Sequence, residues 1–291
     1  MSKRVSILSE GLGHPEGPYM MPDGRVVLAN TYRSEVAVWD AKAGTSTYAF
    51  TGGCPNACML GTDGNVYITN CPNVGKWEPD DKRPASIQRA TPNGKVEIVA
   101  TEADGVKFDG PNDLTFGPDG RLYFTDSGDW DPATKPHKGR IVVIEKNGTA
   151  RILEELDHTY PNGIVAEPDG SIVWVESYTL RMIRRRPNGS KNVIYHFPEN
   201  HIPDGFKIDA KGNFWVTTVT SGGIDIVSKD GEAKDFLDLK AVPLNCAFGG
   251  TSLYVADFGV FDTSGPASMG GRLLKVDVGV AGMPHFKGAI G

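Results

Sequence analysis

The sequence predicts an all-β protein, a six-bladed β-propeller in which residues 1–291 form a single domain. A proline-led motif recurs six times, which corresponds to about 48 residues per repeat. Each copy has the pattern of a β-hairpin, because two apolar segments flank a Pro-Asp-Gly-like turn. The 36 glycines and 20 prolines suit many short strands joined by turns. No long segment has the 3.6-residue apolar period of a helix.

The copies of the motif follow one another with a constant internal layout. They are Pro15–Asn30, Pro55–Asn70, Pro111–Asp126, Pro161–Glu176, Pro203–Thr218 and a shorter sixth copy, Asn245–Asp257. Further apolar segments, such as Val36–Trp39 and Ile141–Ile144, follow most hairpins and indicate about four strands per repeat. We expect the segments around Val5–Leu8 and Arg272–Asp277 to share one blade, because ring closure removes an exposed sheet edge.

Composition and charge exclude several classes of protein. The net charge of −6 does not suit a nucleic-acid or anionic-membrane surface. No segment has the roughly 20 apolar residues of a membrane span. The first ten residues lack the apolar core of a signal peptide, so we expect a cytoplasmic location. The basic run Arg181–Arg186 is interpreted as an exposed strand edge, and the polar segments Lys76–Pro84 and Gly128–Lys138 are interpreted as loops.

The four cysteines are expected to be reduced. Cys54 and Cys58 form a CxxxC pattern without a matching second pair, which favours buried thiols over a zinc site. Cys71 and Cys246 stand alone, and we expect them to act as small buried apolar residues.

One position of the repeat carries only oxygen-bearing side chains. The residues at this position are Glu16, Asn56, Asn112, Asn162, Asp204 and, after a Pro-Leu step, Asn245. Equivalent positions of the blades converge on the axis of a propeller, so these side chains can surround one hard cation. Calcium is the first candidate and magnesium or manganese are the others, because no thiolate or imidazole is present to favour zinc or copper. Six separate Asx turns are the structural alternative.

A second set of polar residues lies fourteen positions later in each copy. Its members are Asn30, Asn70, Asp126, Glu176, Thr218 and Asp257. We expect them to line the pocket or to orient the ligands from behind. Asn112, Asp113, Asp126 and Glu176 are our candidates for substrate contacts, and a supporting contact is the alternative for Asp113.

Four of these motifs resemble the senescence-marker-protein/gluconolactonase-like family, which includes the diisopropyl fluorophosphatases. The motifs are Pro15-Glu16-Gly-Pro18, Gly110-Pro-Asn-Asp113, Tyr160-Pro-Asn-Gly163 and Ile202-Pro-Asp-Gly205, and the resemblance covers essentially the whole chain. It implies a six-bladed propeller with a catalytic divalent metal, usually calcium or zinc. Glu16, Asn162 and Asp204 would be core ligands, and Asn112 would be a fourth ligand or a substrate contact.

The resemblance also implies hydrolysis of an ester-like bond, most often in a lactone. A cation that polarises the carbonyl suits this reaction. Asp204 is the candidate general base for the attacking water, and direct nucleophilic attack by the same carboxylate is the variant. His14 and His201 are interpreted as loop histidines, with proton transfer as the alternative.

One departure from the family bears on the substrate. In sugar-lactone members an arginine two residues before the second ligand contacts the sugar, and Gly110 stands at that place here. We therefore expect a less basic pocket that favours smaller, apolar or aromatic lactones. Trp77, Trp130 and Tyr178 are interpreted as core or rim residues that can also supply aromatic contacts.

Two other functions remain open. A phosphotriester hydrolase of the diisopropyl fluorophosphatase type could use the same metal to polarise a phosphoryl oxygen. A non-catalytic propeller scaffold would hold the metal for stability alone. The expected partner is a small-molecule lactone or ester, with no nucleic acid and no membrane.

Overall fold

The computed structural model describes residues 5–260, 265 and 269–291. Within them the predicted six-bladed β-propeller is confirmed, because six four-stranded antiparallel sheets are present. Residues 1–4, the start of the N-terminal segment considered above, lie outside the described residues. The described residues include no helix with the length and apolar character of a membrane span.

Each of the first five blades consists of four consecutive strands. Blade 1 contains β2 (Pro15–Met20), β3 (Val26–Asn30), β4 (Glu35–Asp40) and β5 (Gly44–Phe50), and blade 2 contains β6 (Cys54–Leu60), β7 (Val66–Cys71), β8 (Ser86–Ala90) and β9 (Val96–Ala100). Blade 3 contains β12 (Pro111–Phe116), β13 (Leu122–Asp126), β14 (Arg140–Ile144) and β15 (Ala150–Glu155). Blade 4 contains β16 (Pro161–Ala166), β17 (Ile172–Glu176), β18 (Arg181–Arg185) and β19 (Lys191–His196), and blade 5 contains β20 (Pro203–Ile208), β21 (Phe214–Thr218), β22 (Gly223–Val227) and β23 (Ala233–Asp238).

Blade 6 closes the ring with strands from both ends of the sequence. Its strands are β24 (Pro243–Gly249), β25 (Ser252–Asp257), β26 (Gly271–Asp277) and β1 (Val5–Leu12). The predicted pairing of the segments at Val5 and Arg272 is confirmed, because Val5 lies opposite Val276 in an antiparallel ladder. Outside the blades, β10 (Glu102–Ala103) and β11 (Val106–Lys107) form a small hairpin, and Thr31–Arg33 form one 3₁₀ turn.

The motif hairpins place the proline end of every inner strand on one side of the propeller. Pro15 lies opposite Asn30, and Pro161 lies opposite Glu176, so the two polar positions of the repeat share one hairpin end. The other end is the turn, where Gly24 has a φ of 89° that favours glycine. Asp23 Oδ1 accepts a hydrogen bond from Arg25 N there (3.1 Å).

The hydrophobic core lies between neighbouring blades. Phe116 of blade 3 contacts Tyr67 of blade 2 edge-on, with ring centroids 5.3 Å apart. Phe206 and Phe214 of blade 5 are fully buried, as is Trp174 of blade 4. Full burial of such a side chain contributes about 1.5–3 kcal/mol to stability. Packing between sheets therefore holds the blades at the spacing that defines the axis.

Residues 279–291 cross the turn end of the propeller and link several blades. Ala210 N donates a hydrogen bond to Ala281 O (2.8 Å), and Thr62 N donates to Gly288 O (2.8 Å). Gly291 N donates to Lys146 O (2.8 Å). These bonds join blades 5, 2 and 3 through one segment, on the side away from the repeat prolines.

The interpretation of Arg181–Arg186 as a strand edge is wrong. β18 is the third strand of blade 4 and is paired on both sides. Its arginines form ion pairs with glutamates: Arg181 with Glu176 (2.7 Å), Arg184 with Glu167 (2.5 Å) and Arg185 with Glu154 (2.7 Å). The basic run is therefore largely neutralised by blade 4 and its neighbours. The predicted loops at 76–84 and 128–138 contain no blade strand and are confirmed as loops.

Tyr67 anchors the C-terminal segment, and its removal should destabilise the fold. Its hydroxyl accepts a hydrogen bond from Ile290 N (2.8 Å) and donates one to Asp63 Oδ2 (3.0 Å). Tyr67→Phe should lower the free energy of unfolding by about 1–3 kcal/mol, because it leaves a buried amide unpaired. Equilibrium unfolding in urea measures this. Tyr254→Phe is the matched control, since that hydroxyl bonds no described residue, and an equal loss in both variants would contradict the assignment.

Candidate functional site

A backbone irregularity at the proline end of each inner strand positions the candidate site. The regular pairing breaks between Glu16 and Tyr19, between Pro161 and Ile164, and between Pro203 and Phe206. The same break occurs in the other three inner strands. A bulge of this kind changes the direction in which a side chain points. Here it lies directly at the position that carries the oxygen-bearing residues.

The six oxygen-bearing residues that follow the repeat prolines are called the ring residues from here on. Five of them line one cavity of about 90 Å³ at this end of the axis. They are Glu16, Asn56, Asn112, Asn162 and Asp204. All four residues assigned to a metal from the sequence are thus brought together. The sixth, Asn245, is fully buried behind them, where its Nδ2 donates hydrogen bonds to Glu16 Oε1 (3.2 Å) and Asp113 Oδ2 (3.4 Å).

Three of the cavity residues keep an oxygen that nothing in the described part of the chain satisfies. Glu16 Oε2, Asn112 Oδ1 and Asn162 Oδ1 are buried and have no hydrogen-bond partner. Each buried acceptor left unpaired costs about 1–3 kcal/mol, so three in one cavity are expensive without a ligand. Carboxylate and amide oxygens are the donor set of a hard divalent cation. The residues present therefore fit a metal of the calcium type.

The electrostatics of the cavity also favour a cation. Burial raises the pKa of Glu16 well above its usual range, and the neighbouring Asp204 and Asp113 carboxylates raise it further. Burial likewise raises the pKa of Asp204, with a further contribution from Asp113. Lys207 Nζ lies 3.8 Å from Asp113 Oδ2 on the far side of the ring. It is one positive charge beside three carboxylates, so a divalent cation would balance the cluster.

Hydrogen bonds between blades fix the backbone that carries the ring. Thr69 Oγ1 of blade 2 donates to Asn112 O of blade 3 (2.6 Å), and Thr125 Oγ1 of blade 3 donates to Asn162 O of blade 4 (2.7 Å). Ser177 Oγ continues the series to Pro203 O of blade 5 (2.7 Å). Blades 2, 3 and 4 therefore fix the positions of Asn112, Asn162 and the residue before Asp204 along the axis.

Comparison with known proteins identifies the family. Residues 14–257 match the model of the SMP-30/gluconolactonase/LRE-like region, which is most of the chain. The chain belongs to this family.

Individual relatives are distant but cover much of the chain. The gluconolactonase of Zymomonas mobilis is 25% identical over 88% of this chain and 79% of its own length. A strictosidine synthase-like protein of Arabidopsis thaliana is 26% identical over 57% of this chain and 44% of its own length. Regucalcin, a calcium-binding protein of Agrobacterium tumefaciens, superposes with a TM-score of 0.78 at 19% identity, covering 100% of this chain and 97% of regucalcin.

In this SMP-30/gluconolactonase/LRE-like chain, Asp126 and Glu176 do not line the ring cavity. Asp126 is fully buried, accepts a hydrogen bond from Gly110 N (2.7 Å) and pairs with Arg140 (2.8 Å). Glu176 pairs with Arg181 (2.7 Å). The geometry does not favour the expected substrate contacts, because both carboxylates are paired with arginines and neither lines the cavity. The alternative, support from behind, agrees with the bond to the loop before Asn112.

This supporting role recurs around the ring. In four blades the last residue of the second strand bonds its partner at the start of the third: Asp126 with Arg140, Glu176 with Arg181, Asp257 with Arg272, and Asn30 with Glu35. Asn30 Oδ1 also accepts a hydrogen bond from Gly13 N (2.7 Å), and Asp257 Oδ1 accepts one from Val242 N (2.8 Å). These bonds hold the loops that lead into the inner strands.

Asp113 is likewise displaced from the cavity. Its Oδ1 accepts a hydrogen bond from Leu114 N (2.8 Å), and its Oδ2 faces Asn245 and Lys207 below the ring. The expectation of a substrate contact is not met by this position, and the alternative of a supporting contact describes it. Asn112, by contrast, lines the cavity, which agrees with either of its two expected roles.

The cavity wall includes residues that the sequence analysis did not assign to the site. Tyr160 stands directly before a repeat proline, and its hydroxyl lies 3.5 Å from Asn112 Nδ2. Cys71 lines the cavity too, while the other three cysteines are buried thiols as expected. The signal for Tyr160 was the position before the repeat proline, which also carries His14.

The two histidines near the ring have different surroundings. His14 lines the cavity, and burial lowers its pKa to about 4, so the imidazole is neutral at physiological pH. It packs against Phe258, with ring centroids 4.5 Å apart. His201 is outside the cavity, and its Nδ1 lies 2.7 Å from Asp225 Oδ2. Only His14 is therefore placed to meet a ligand.

Asp126→Ala tests whether this carboxylate supports the fold. It should lower the free energy of unfolding by about 3 kcal/mol, because Arg140 and the amide of Gly110 lose a buried partner. Asp109, 2.6 Å from Arg140, limits the loss. Urea unfolding measures the change, and Asp23→Ala, an exposed pair with Arg25, should cost less than about 1 kcal/mol. Unchanged stability with a raised KM would restore the substrate-contact interpretation.

Proposed function

We propose that this chain is a divalent-metal-dependent hydrolase that opens a lactone ring. The observation that carries the proposal is the set of three buried, unpartnered oxygens on Glu16, Asn112 and Asn162 beside the Asp204 carboxylate. The family assignment and the similarity to a gluconolactonase support the choice of reaction. Glu16, Asn112, Asn162 and Asp204 are the proposed ligands, and calcium is the proposed ion because its ligands are hard oxygens.

When bound, the cation would supply Lewis-acid polarisation of the lactone carbonyl and lower the pKa of a nearby water. Asp204 would accept the proton of the attacking water as general base. Its side chain is partly exposed in the cavity, whereas Glu16 is buried, so Asp204 is the carboxylate that a water can reach. Asn112 and Asn162 would orient the substrate through side chains whose backbone is fixed by Thr69 and Thr125.

Removal of divalent cations should abolish lactone hydrolysis. We expect the chelator-treated protein to release no acid from a panel of lactones, and calcium addition to restore the activity. Acid release is followed with a pH indicator, and magnesium, manganese and zinc are compared in parallel. A cation that raises the melting temperature without any ester turnover would favour the scaffold alternative. Faster turnover of a phosphotriester than of any lactone would favour the phosphotriesterase alternative.

Asp204→Asn separates the base from the ligand, because the amide keeps an oxygen but cannot accept the proton. At saturating calcium, kcat should fall by about 10²–10⁴-fold, the range expected for loss of a general base. Calcium binding, measured by calorimetry, should weaken but persist. Glu16→Gln is the matched control: it loses the same charge and should act mainly through affinity. Undiminished kcat in Asp204→Asn with calcium bound would exclude the base role.

Calcium affinity should decrease as the pH is lowered. The pKa values of Glu16 and Asp204 are raised in the absence of a cation, so protons compete with the metal for the same oxygens. The dissociation constant should increase by up to about tenfold per pH unit for each proton displaced. Calorimetry in two buffers of different ionisation enthalpy counts the released protons. An affinity that is constant between neutral and mildly acidic pH would contradict this account.

A further inference from the structure

The cavity has two chemically different parts. Its floor consists of the ring oxygens, whereas its wall is largely apolar and aromatic, with Trp130, Val219, Leu244 and Phe258 among its members. Val219, Leu244 and Phe258 also pack with Tyr32 into one hydrophobic cluster. A ligand that reaches the floor must therefore place the rest of its structure against apolar surface.

Two hydroxyl-bearing side chains of the wall, Thr220 and Ser177, are engaged with the protein. Thr220 Oγ1 donates to Asn200 O (2.7 Å) and accepts a hydrogen bond from Ile202 N (3.2 Å). Ser177 Oγ donates to Pro203 O (2.7 Å) and accepts one from Asn162 Nδ2 (3.2 Å). Hydroxyl groups of a ligand beside these residues would find few free partners, and a buried polar group without a partner is unfavourable.

The charges of the wall also select against anions. Among the described residues that line the cavity none is a lysine or an arginine, and Asp129 adds a carboxylate at the mouth. A neutral ligand is favoured by this distribution.

Gly110 packs closely against Gly128, and this contact disfavours a long basic side chain at position 110. A Cβ added at Gly110 would lie 3.1 Å from the Gly128 Cα and 3.1 Å from the Gly128 carbonyl oxygen. Gly128 has a φ of 72°, which favours glycine, and begins the loop that carries Trp130 into the cavity. A side chain at position 110 would press on the backbone of Gly128, so the position of the loop that carries Trp130 depends on a small residue there.

We propose that the substrate is a neutral lactone with an apolar alkyl or aryl substituent, and that Trp130 sets this specificity. The inference rests on the proposed lactonase function. The substituent would lie on the apolar wall while the ester group reaches the ring oxygens. In an apolar pocket a single methylene can change kcat/KM by roughly 10–200-fold, so the wall has the means to discriminate strongly.

Two δ-lactones with the same ring test the substrate class: δ-decalactone, which carries an alkyl chain, and glucono-δ-lactone, which carries hydroxyl groups. The calcium-loaded protein should hydrolyse δ-decalactone with a kcat/KM at least about tenfold higher. The reverse order would overturn the inference and leave the lactonase proposal intact. Hydrolysis of neither compound would overturn the proposed function.

Binding gives a readout that does not depend on turnover. The δ-lactam with the same alkyl chain as δ-decalactone is resistant to hydrolysis and can be titrated by calorimetry into the calcium-loaded protein. It should bind, and the corresponding lactam without an alkyl chain should bind at least about tenfold more weakly. Equal affinity for the two lactams would overturn the inference even if lactones are hydrolysed.

Trp130→Ala tests the specificity residue. It should raise the KM for δ-decalactone and the dissociation constant of the alkyl lactam by about tenfold, with no change in calcium affinity. Phe50→Ala is the matched control, because Phe50 is 71% exposed on β5 and does not line the cavity. An unchanged preference between the two δ-lactones in Trp130→Ala would assign the specificity to other wall residues and overturn the role of Trp130.

Discussion

The arrangement of this protein depends on one electrostatic conflict, the gathering of buried and half-buried carboxylates around the propeller axis. Burial raises the pKa of Glu16, and the neighbouring Asp204 and Asp113 raise it further, while burial and Asp113 raise the pKa of Asp204. Lys207 offsets part of this charge from below. The remaining charge and the unpartnered amide oxygens fit the hard divalent cation that we propose. The stability of the fold alone does not explain why these groups lie together.

The propeller tolerates this conflict because its support is repeated in every blade. Hydroxyl groups such as Thr69 and Thr125 bond the backbone of the next ligand residue, and cross-strand pairs such as Asp126 with Arg140 hold the loops behind it. Four members of the second set therefore hold the backbone geometry rather than contact a ligand: Asn30, Asp126, Glu176 and Asp257. Many small interactions between and within blades together offset the unfavourable free energy of gathering these polar groups at the axis.

The repeat made the fold and much of the ring predictable from the sequence. The hairpins, the closure of blade 6 and the convergence of Glu16, Asn112, Asn162 and Asp204 all follow from equivalent positions in a closed sheet ring. The directions of Asp113 and Asp126 were not predictable in the same way, because bulges and partners far along the chain decide them. The place of Arg181–Arg186 was missed since no local pattern distinguishes a third strand from an edge strand.

Formation of the site depends on the closure of blade 6, and therefore on the order in which the chain folds. Asn245 of this blade bonds Glu16 of blade 1, and the blade itself is complete only when β1 and β26 pair. During vectorial synthesis the earlier blades can associate while the ring is still an open arc. The proposed cation pocket would then be completed in the last step of assembly, and metal retention would report whether a molecule has finished folding.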